Sequence, residues 1–271
     1  MRLSRTEISA MLETAVVAAR LAGQRALEEL RYIRTTRKSP DELVTQADPI
    51  CQKVIIDQIK EMYPDHGFVA EEGPDGKMFK LAPRGDQPIW WVIDPIDGTN
   101  NFANGVLCFS VSVAAMLEGR PVVGVIFDPA TESMYTAAED VEAQINGTRI
   151  QVNQQEINRF SCFGVDSYLD PSISSGLKIV MSKTRFRCLG STALQLAYVA
   201  KGAMIGAVTT NSRLWDFAAG TLLIERAGGY VSTVEGQSLY PIYPQEYEGQ
   251  MLGVLAANAV KKEEIQKLFR E

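Results

Sequence analysis

Six consecutive residues, Asp94-Pro95-Ile96-Asp97-Gly98-Thr99, bring together two carboxylates, a proline, a glycine and a hydroxyl. Pro95 holds Asp94 extended, and Gly98 permits a tight turn that folds Asp97 back, so both carboxylates and the Ile96 carbonyl can face one point. Three oxygen donors so close in sequence suit a hard cation, Mg²⁺ rather than zinc. The backbone N–H groups of Gly98 and Thr99, at the start of a helical turn, are placed to hold a phosphate. The same string could also be a β-turn that uses Asp, Pro and Gly for shape alone. Its rarity speaks against that, because five specified residue types at usages of roughly 5 to 7% coincide on the order of 10⁻⁶ times per position.

The remaining composition leaves metal and acid–base chemistry to carboxylates. The sole histidine, His66, sits in the turn-like Tyr63-Pro64-Asp65-His66-Gly67, so no imidazole-built zinc or iron site can be assembled, and an ordinary loop histidine is expected. Cys51, Cys108, Cys162 and Cys188 form no Cys-x-x-Cys pair and are expected as buried small apolar residues rather than a disulfide framework or zinc site. Lys plus Arg total 27 against 33 Asp plus Glu, a net charge of -6, which argues against a nucleic-acid partner as the main business and leaves room for a local basic pocket. With 46% hydrophobic and 22% charged residues in 271, neither disorder nor a fibrous repeat fits. No run approaches the roughly 18 apolar residues of a membrane helix, so a soluble, cytoplasmic protein without a membrane partner is expected.

The elements that must carry the acidic string are legible in part. Apolar spacing from Ile8 to Leu30, with Ser4 and Glu7 as a capping box, predicts a long first helix. Asp48-Pro49 reads as an N-cap and first helical position leading into Cys51 to Met62. Gly73 to Gln87 reads as a solvated loop, and Ile89 to Ile93 as a strand buried on both faces that runs straight into Asp94. Leu107 to Leu117, Pro121 to Phe127, Ala203 to Val208 and Leu252 to Ala256 are predicted strands, and Asn146-Gly147 a hairpin turn between Ala143–Ile145 and Arg149–Val152. Helices are predicted over Ser191 to Ala200, Trp215 to Ala227 and Ala259 to Phe269, while Asn153 to Ser182 shows no period. Alternating blocks of helix and strand without a repeat or convincing linker predict a layered α/β or α+β fold.

Trp91 to Phe102, which contains the acidic string, resembles the signature of the inositol monophosphatase family. Two further stretches match the family in order: Phe68-Val69-Ala70-Glu71-Glu72-Gly73 upstream, and Trp215-Asp216-Phe217-Ala218-Ala219-Gly220 through Gly228-Gly229 downstream. Leu43 to Asp48 extends the likeness over nearly the whole chain. Singly, Glu71 and Glu72 could be a solvated pair, and Asp48 and Asp216 could simply cap helices. The resemblance implies an αβαβα sandwich of the sugar phosphatase fold, one domain over 1–271 with two structural halves meeting near 150–185. It implies a lithium-sensitive, Mg²⁺-dependent hydrolase and a homodimer.

Carried over residue by residue, it implies that Glu71, Asp94 and the Ile96 carbonyl bind a first Mg²⁺ and that Asp94, Asp97 and Asp216 bind a second. Asp48, Thr99 and Glu71 form the implied catalytic set, with Thr99 and Asp48 orienting the attacking water. Gly98, Thr99, Gly190, Ser191, Thr192 and Thr209 form the implied substrate site. Thr209 stands where animal relatives carry an inositol-recognising glutamate, so breadth is expected: myo-inositol 1-phosphate together with other small phosphomonoesters such as glycerol 2-phosphate or a nucleoside monophosphate. A small phosphorylated sugar or polyol is the implied partner. Adenosine 3',5'-bisphosphate, fructose-1,6-bisphosphate and histidinol-phosphate phosphatases share the metal site and stay open as alternatives. A non-enzymatic binding or regulatory role stays open too, less favoured by the intact ligand set.

Overall fold

Ser4 opens the first element as its spacing predicts. Its hydroxyl accepts the Glu7 N–H (3.2 Å) while the Glu7 carboxylate accepts the Ser4 N–H (2.8 Å), a reciprocal cap that starts helix α1 (Arg5–Glu29). In the computed structural model, which describes residues 3–37, 43–85, 88–168, 173–258 and 262–270, α1 buries Ile8, Met11 and a line of alanines. Next come a hairpin, β1 (Thr35–Arg37) and β2 (Leu43–Thr45), then α2 (Ala47–Met62), β3 (Gly67–Ala70), β4 (Phe79–Leu81), β5 (Trp90–Asp97) and the short α3 (Thr99–Ala103). A meander continues the chain: β6 (Ser110–Leu117), β7 (Arg120–Asp128), β8 (Ser133–Ala138), β9 (Val141–Ile145) and β10 (Thr148–Arg149). The remaining elements are β11 (Cys162–Val165), α4 (Ser174–Lys183), β12 (Arg185–Arg187), α5 (Thr192–Ala200), β13 (Gly206–Ser212), α6 (Leu214–Arg226), β14 (Gly229–Thr233), β15 (Leu252–Asn258) and α7 (Lys262–Arg270).

The first sheet has eight strands in the order β10-β9-β8-β7-β6-β5-β3-β4, antiparallel except for the β3–β5 pair. The second has five, β12-β11-β13-β15-β14, with β11 parallel to both its neighbours. Side-chain alternation assigns each face of β5 to a different core. Trp91 and Ile93 join α1 and α2, whereas Trp90 and Val92 join α5 and α6. That two-sided burial explains the unbroken apolar run. Helices α5 and α6 fill the space between the sheets, and α4 and α7 close the far face of the second sheet around Phe163, Val180, Leu255 and Phe269. The layers therefore alternate helix, sheet, helix, sheet, helix, the expected αβαβα sandwich.

Several expectations need correction. The stretch read as a solvated loop contains β4, whose half-buried Phe79 and Leu81 pair with β3 at the sheet edge; three residues are too few to show a period. Asp86 and Gln87 of that stretch, and Ala259 to Lys261 of the last predicted helix, lie outside the described residues. The strand predicted from Leu107 starts at Ser110, and the one predicted over Ala203 to Val208 runs from Gly206 to Ser212. Helix α2 starts at Ala47, so Asp48 lies inside its first turn instead of capping it. Of the cysteines only Cys51 is buried; Cys108 and Cys162 are intermediate and Cys188, in the loop after β12, is exposed. Among the described residues of 153–182, where polar residues hid any pattern, lie β11 and all but the last residue of α4. The Asn146-Gly147 hairpin is present, with both residues at positive φ (48° and 78°).

Candidate active site

Strict alternation along β5 would send Asp94 and Asp97, three residues apart, to opposite faces of the sheet. They share a face because the ladder slips. Asp94 pairs with Ser112 and Asp97 with Ser110, so three steps on β5 oppose two on β6. The bulge absorbs one extra residue and re-aims the side chains beyond it. Ile96 accordingly packs into the α1–α2 core, and Asp97 turns toward α5 and α6. Gly98 then takes φ 94°, and a Cβ there would stand 3.0 Å from the Gly190 carbonyl oxygen, so both the turn and the close approach require glycine.

Asp97 caps α5 from a distance. Its carboxylate accepts the N–H groups of Thr192 (3.1 Å) and Ala193 (2.8 Å) together with the Ser191 hydroxyl, while Ser110 lies at 3.3 Å. Ser191 and Thr192, implied as substrate contacts, thus also hold this carboxylate in place. Asn101 ties the two loops, its amide donating to the carbonyls of Cys108 and Leu189 at 2.7 Å each. Asp216 sits at the third position of α6, where its carboxylate accepts the Arg213 N–H at 2.7 Å. It therefore closes the cap of its helix while facing the cluster, so the two readings of this residue coexist. Ser112 donates to the Trp215 carbonyl (3.0 Å) and Tyr247 accepts the Leu214 N–H (3.0 Å), which fixes that helix start against β6.

Parallel pairing of Ala70 with Ile93 sets Glu71 beside Asp94 at the ends of β3 and β5, and the Glu71 N–H donates to the Ile93 carbonyl at 3.2 Å. Gln52 of α2 accepts the Glu72 N–H (2.9 Å) and donates back to the Glu72 carbonyl, anchoring this turn. Asp48 accepts the N–H and hydroxyl of Thr45 (2.8 and 2.6 Å) through one oxygen. Its other oxygen faces the Thr99 hydroxyl at 3.2 Å, and the Ile96 carbonyl is 3.0 Å from the same hydroxyl. One proton is thus shared between two acceptors. The single histidine is remote in role: His66 accepts the Trp91 indole N–H at 3.0 Å, stacks on Tyr63, and burial pushes it down to about 4.

Carboxylate oxygens of Asp94, Asp97 and Asp216 lie within 4.8 Å of one another. Burial, and then Glu71 and Asp97, drive Asp94 well above the usual carboxylate range. Burial also raises Asp97 despite its donors, and burial with the neighbouring Asp97 charge pushes Asp216 up to about 7. Asp48 is pushed up to about 6, chiefly by burial. Acids crowded like this are stable as anions only beside an added positive charge, and an all-oxygen donor set fits a hard divalent cation.

The crowding gives the metal-free protein a pH signature. These folded pKa values stand above the unfolded 3.8, so the native state holds extra protons between about pH 4 and 7, and the stability they bring is lost as pH rises through 6 to 7. In EDTA the melting temperature should fall by about 5 °C or more from pH 5.5 to 8, and added Mg²⁺ should restore most at pH 8. A melting temperature that stays level or climbs over this range contradicts the reading.

Next to the cluster lies a cavity of about 510 Å³ walled by Ser191, Thr192, Asn211, Arg213 and Asp166. Asp166 was invisible to sequence reasoning, because it lies just after β11 in the aperiodic 153–182 stretch. Its carboxylate accepts the Thr210 N–H at 3.0 Å, and burial pushes it up to about 6. Thr209 is buried, with its hydroxyl beside Asp166 but outside hydrogen-bonding geometry.

Five alternating layers with a buried acidic cluster at the junction of β5, α5 and α6 define the class, the layered fold of the sugar phosphatases. The chain belongs to the inositol monophosphatase family, whose model matches residues 7–271. It is similar to the Nus factor SuhB of Escherichia coli K12, 34% identical over 264 residues that cover 94% of this chain and 97% of that one. The inositol-1-monophosphatase of Rhizobium meliloti is 34% identical over 240 residues, 84% of this chain and 87% of its own. Among solved structures, the extragenic suppressor protein suhB of Bartonella henselae superposes with a TM-score of 0.86 at 28% identity, over 97% of this chain and 99% of that one. Family and fold make the protein a phosphatase, a phosphoric monoester hydrolase. No helix among the described residues is long and apolar enough to cross a membrane.

Proposed function

We propose that the protein is a Mg²⁺-dependent phosphomonoesterase acting on myo-inositol 1-phosphate and related small phosphate monoesters. The observation that carries this reading is the convergence of Asp94, Asp97 and Asp216 oxygens within 4.8 Å, with Glu71 close enough to raise Asp94. Glu71, Asp94 and the Ile96 carbonyl would hold one cation, and Asp94, Asp97 and Asp216 a second. Bound there, such a pair acidifies water and offsets charge on a leaving alkoxide. The chain's own part is positional: the Thr99 hydroxyl orients the attacking water, and Asp48 receives the proton relayed through it. N–H groups of Gly98 and Thr99, at the start of α3, hold the phosphate. The relatives' name Nus factor belongs to those proteins, and the complete carboxylate set favours hydrolysis here over a purely regulatory role.

Phosphate release from myo-inositol 1-phosphate, glycerol 2-phosphate, fructose 1,6-bisphosphate and adenosine 3',5'-bisphosphate, with and without Mg²⁺, tests the reading. Release is expected from the first two, only with the metal, and millimolar Li⁺ is expected to depress it by occupying the Asp97–Asp216 side. Mg²⁺-independent release, or preference for a bisphosphate, overturns it. Full turnover in high Li⁺ would show instead that the second cation position departs from the family pattern. A homodimer in the cytoplasm is part of the same proposal.

A further inference from the structure

We propose that Asp166 is the substrate-recognition carboxylate of this enzyme, hydrogen-bonding the hydroxyls of a polyol leaving group. The inference rests on the phosphatase reading and deepens it. Three observations carry it. Parallel pairing of Val165 with Val208 delivers Asp166 to the strand ends beside Thr209, on the wall of the 510 Å³ cavity. The lining also includes Ser191, whose hydroxyl bonds Asp97, so the cavity lies beside the carboxylate cluster where the phosphate would sit. Asp166 is also held in place, its carboxylate accepting the Thr210 N–H at 3.0 Å on the cavity wall.

The neighbours define the ligand. A carboxylate accepts hydrogen bonds and so matches alcohol O–H groups, while Arg213 on the same cavity supplies positive charge for the phosphate end. Asn211 donates its amide to the Tyr168 carbonyl at 2.9 Å, which turns the amide oxygen into a further fixed acceptor. Two acceptors on one wall fit a ring or chain with adjacent hydroxyls. An ester lacking them would forgo the hydrogen bond to Asp166, which lowers its kcat/KM relative to a polyol ester. Thr209 alone predicted a broad enzyme; Asp166 restores selectivity from the adjacent strand.

The test compares kcat/KM for myo-inositol 1-phosphate with that for p-nitrophenyl phosphate at saturating Mg²⁺, in wild type, Asp166→Ala and the isosteric Asp166→Asn. The readout is the ratio within each protein, so partial misfolding cancels. The ratio is expected to fall about 10- to 100-fold in Asp166→Ala and to fall also in Asp166→Asn. A ratio within twofold of wild type in both variants, whether or not overall activity drops, assigns Asp166 a structural role and overturns the inference alone. A wild type that releases phosphate from neither ester overturns the phosphatase reading and this inference together.

Discussion

Replacing Asp94 by asparagine should lower Mg²⁺-dependent turnover by about 10³-fold or more while raising the melting temperature of the metal-free protein. Both effects have one cause. Asp94 stands among Glu71, Asp97 and Asp216, and burial with those neighbouring charges pushes it well above the usual carboxylate range. Asparagine takes away a proposed bridging ligand, and at the same time spares the folded apoprotein the cost of holding this carboxyl protonated, or charged, beside its acidic neighbours. The fold should survive, because the Asp94 oxygen that accepts the Ile96 N–H at 3.0 Å has a counterpart in the asparagine carbonyl. Turnover within tenfold of wild type at saturating Mg²⁺ contradicts the bridging role. A lowered melting temperature in EDTA contradicts the electrostatic account.

Thr99→Val should reduce kcat by about 10²- to 10³-fold with little change in KM, whereas Thr99→Ser should keep most of the rate. Valine matches threonine in shape and removes only the hydroxyl, which lies 3.2 Å from Asp48 and 3.0 Å from the Ile96 carbonyl. Asp48→Asn should show a comparable loss, and the double variant should be little worse than either single one, because the two groups act on one proton. Additive losses would show that the pair does not form a unit. A Thr99→Val enzyme within threefold of wild type removes the hydroxyl from the mechanism.

Local rules make much of this protein readable from its residues alone. The Ser4–Glu7 cap, the Asn146-Gly147 turn and the end of α6 at Gly228 (φ 82°) are decided by interactions within a few residues, so their signals survive in sequence. The buried run of β5 announces itself because both faces are covered, and the adjoining acidic string is compressed into six residues. Features beyond the reach of sequence were decided by partners far along the chain. Whether Asp94 and Asp97 share a face depends on a bulge measured against β6, and Asp97 is held by the N-terminus of a helix more than 90 residues later. The three-residue strands β4 and β12 exist because a neighbour supplies their ladder, not because three side chains make a pattern. Asp166 shows the same limit at the site. Nothing adjacent to it marks it as functional, and its place in the cavity comes from the pairing of β11 with β13 across more than 40 residues, a contact that only the folded chain creates.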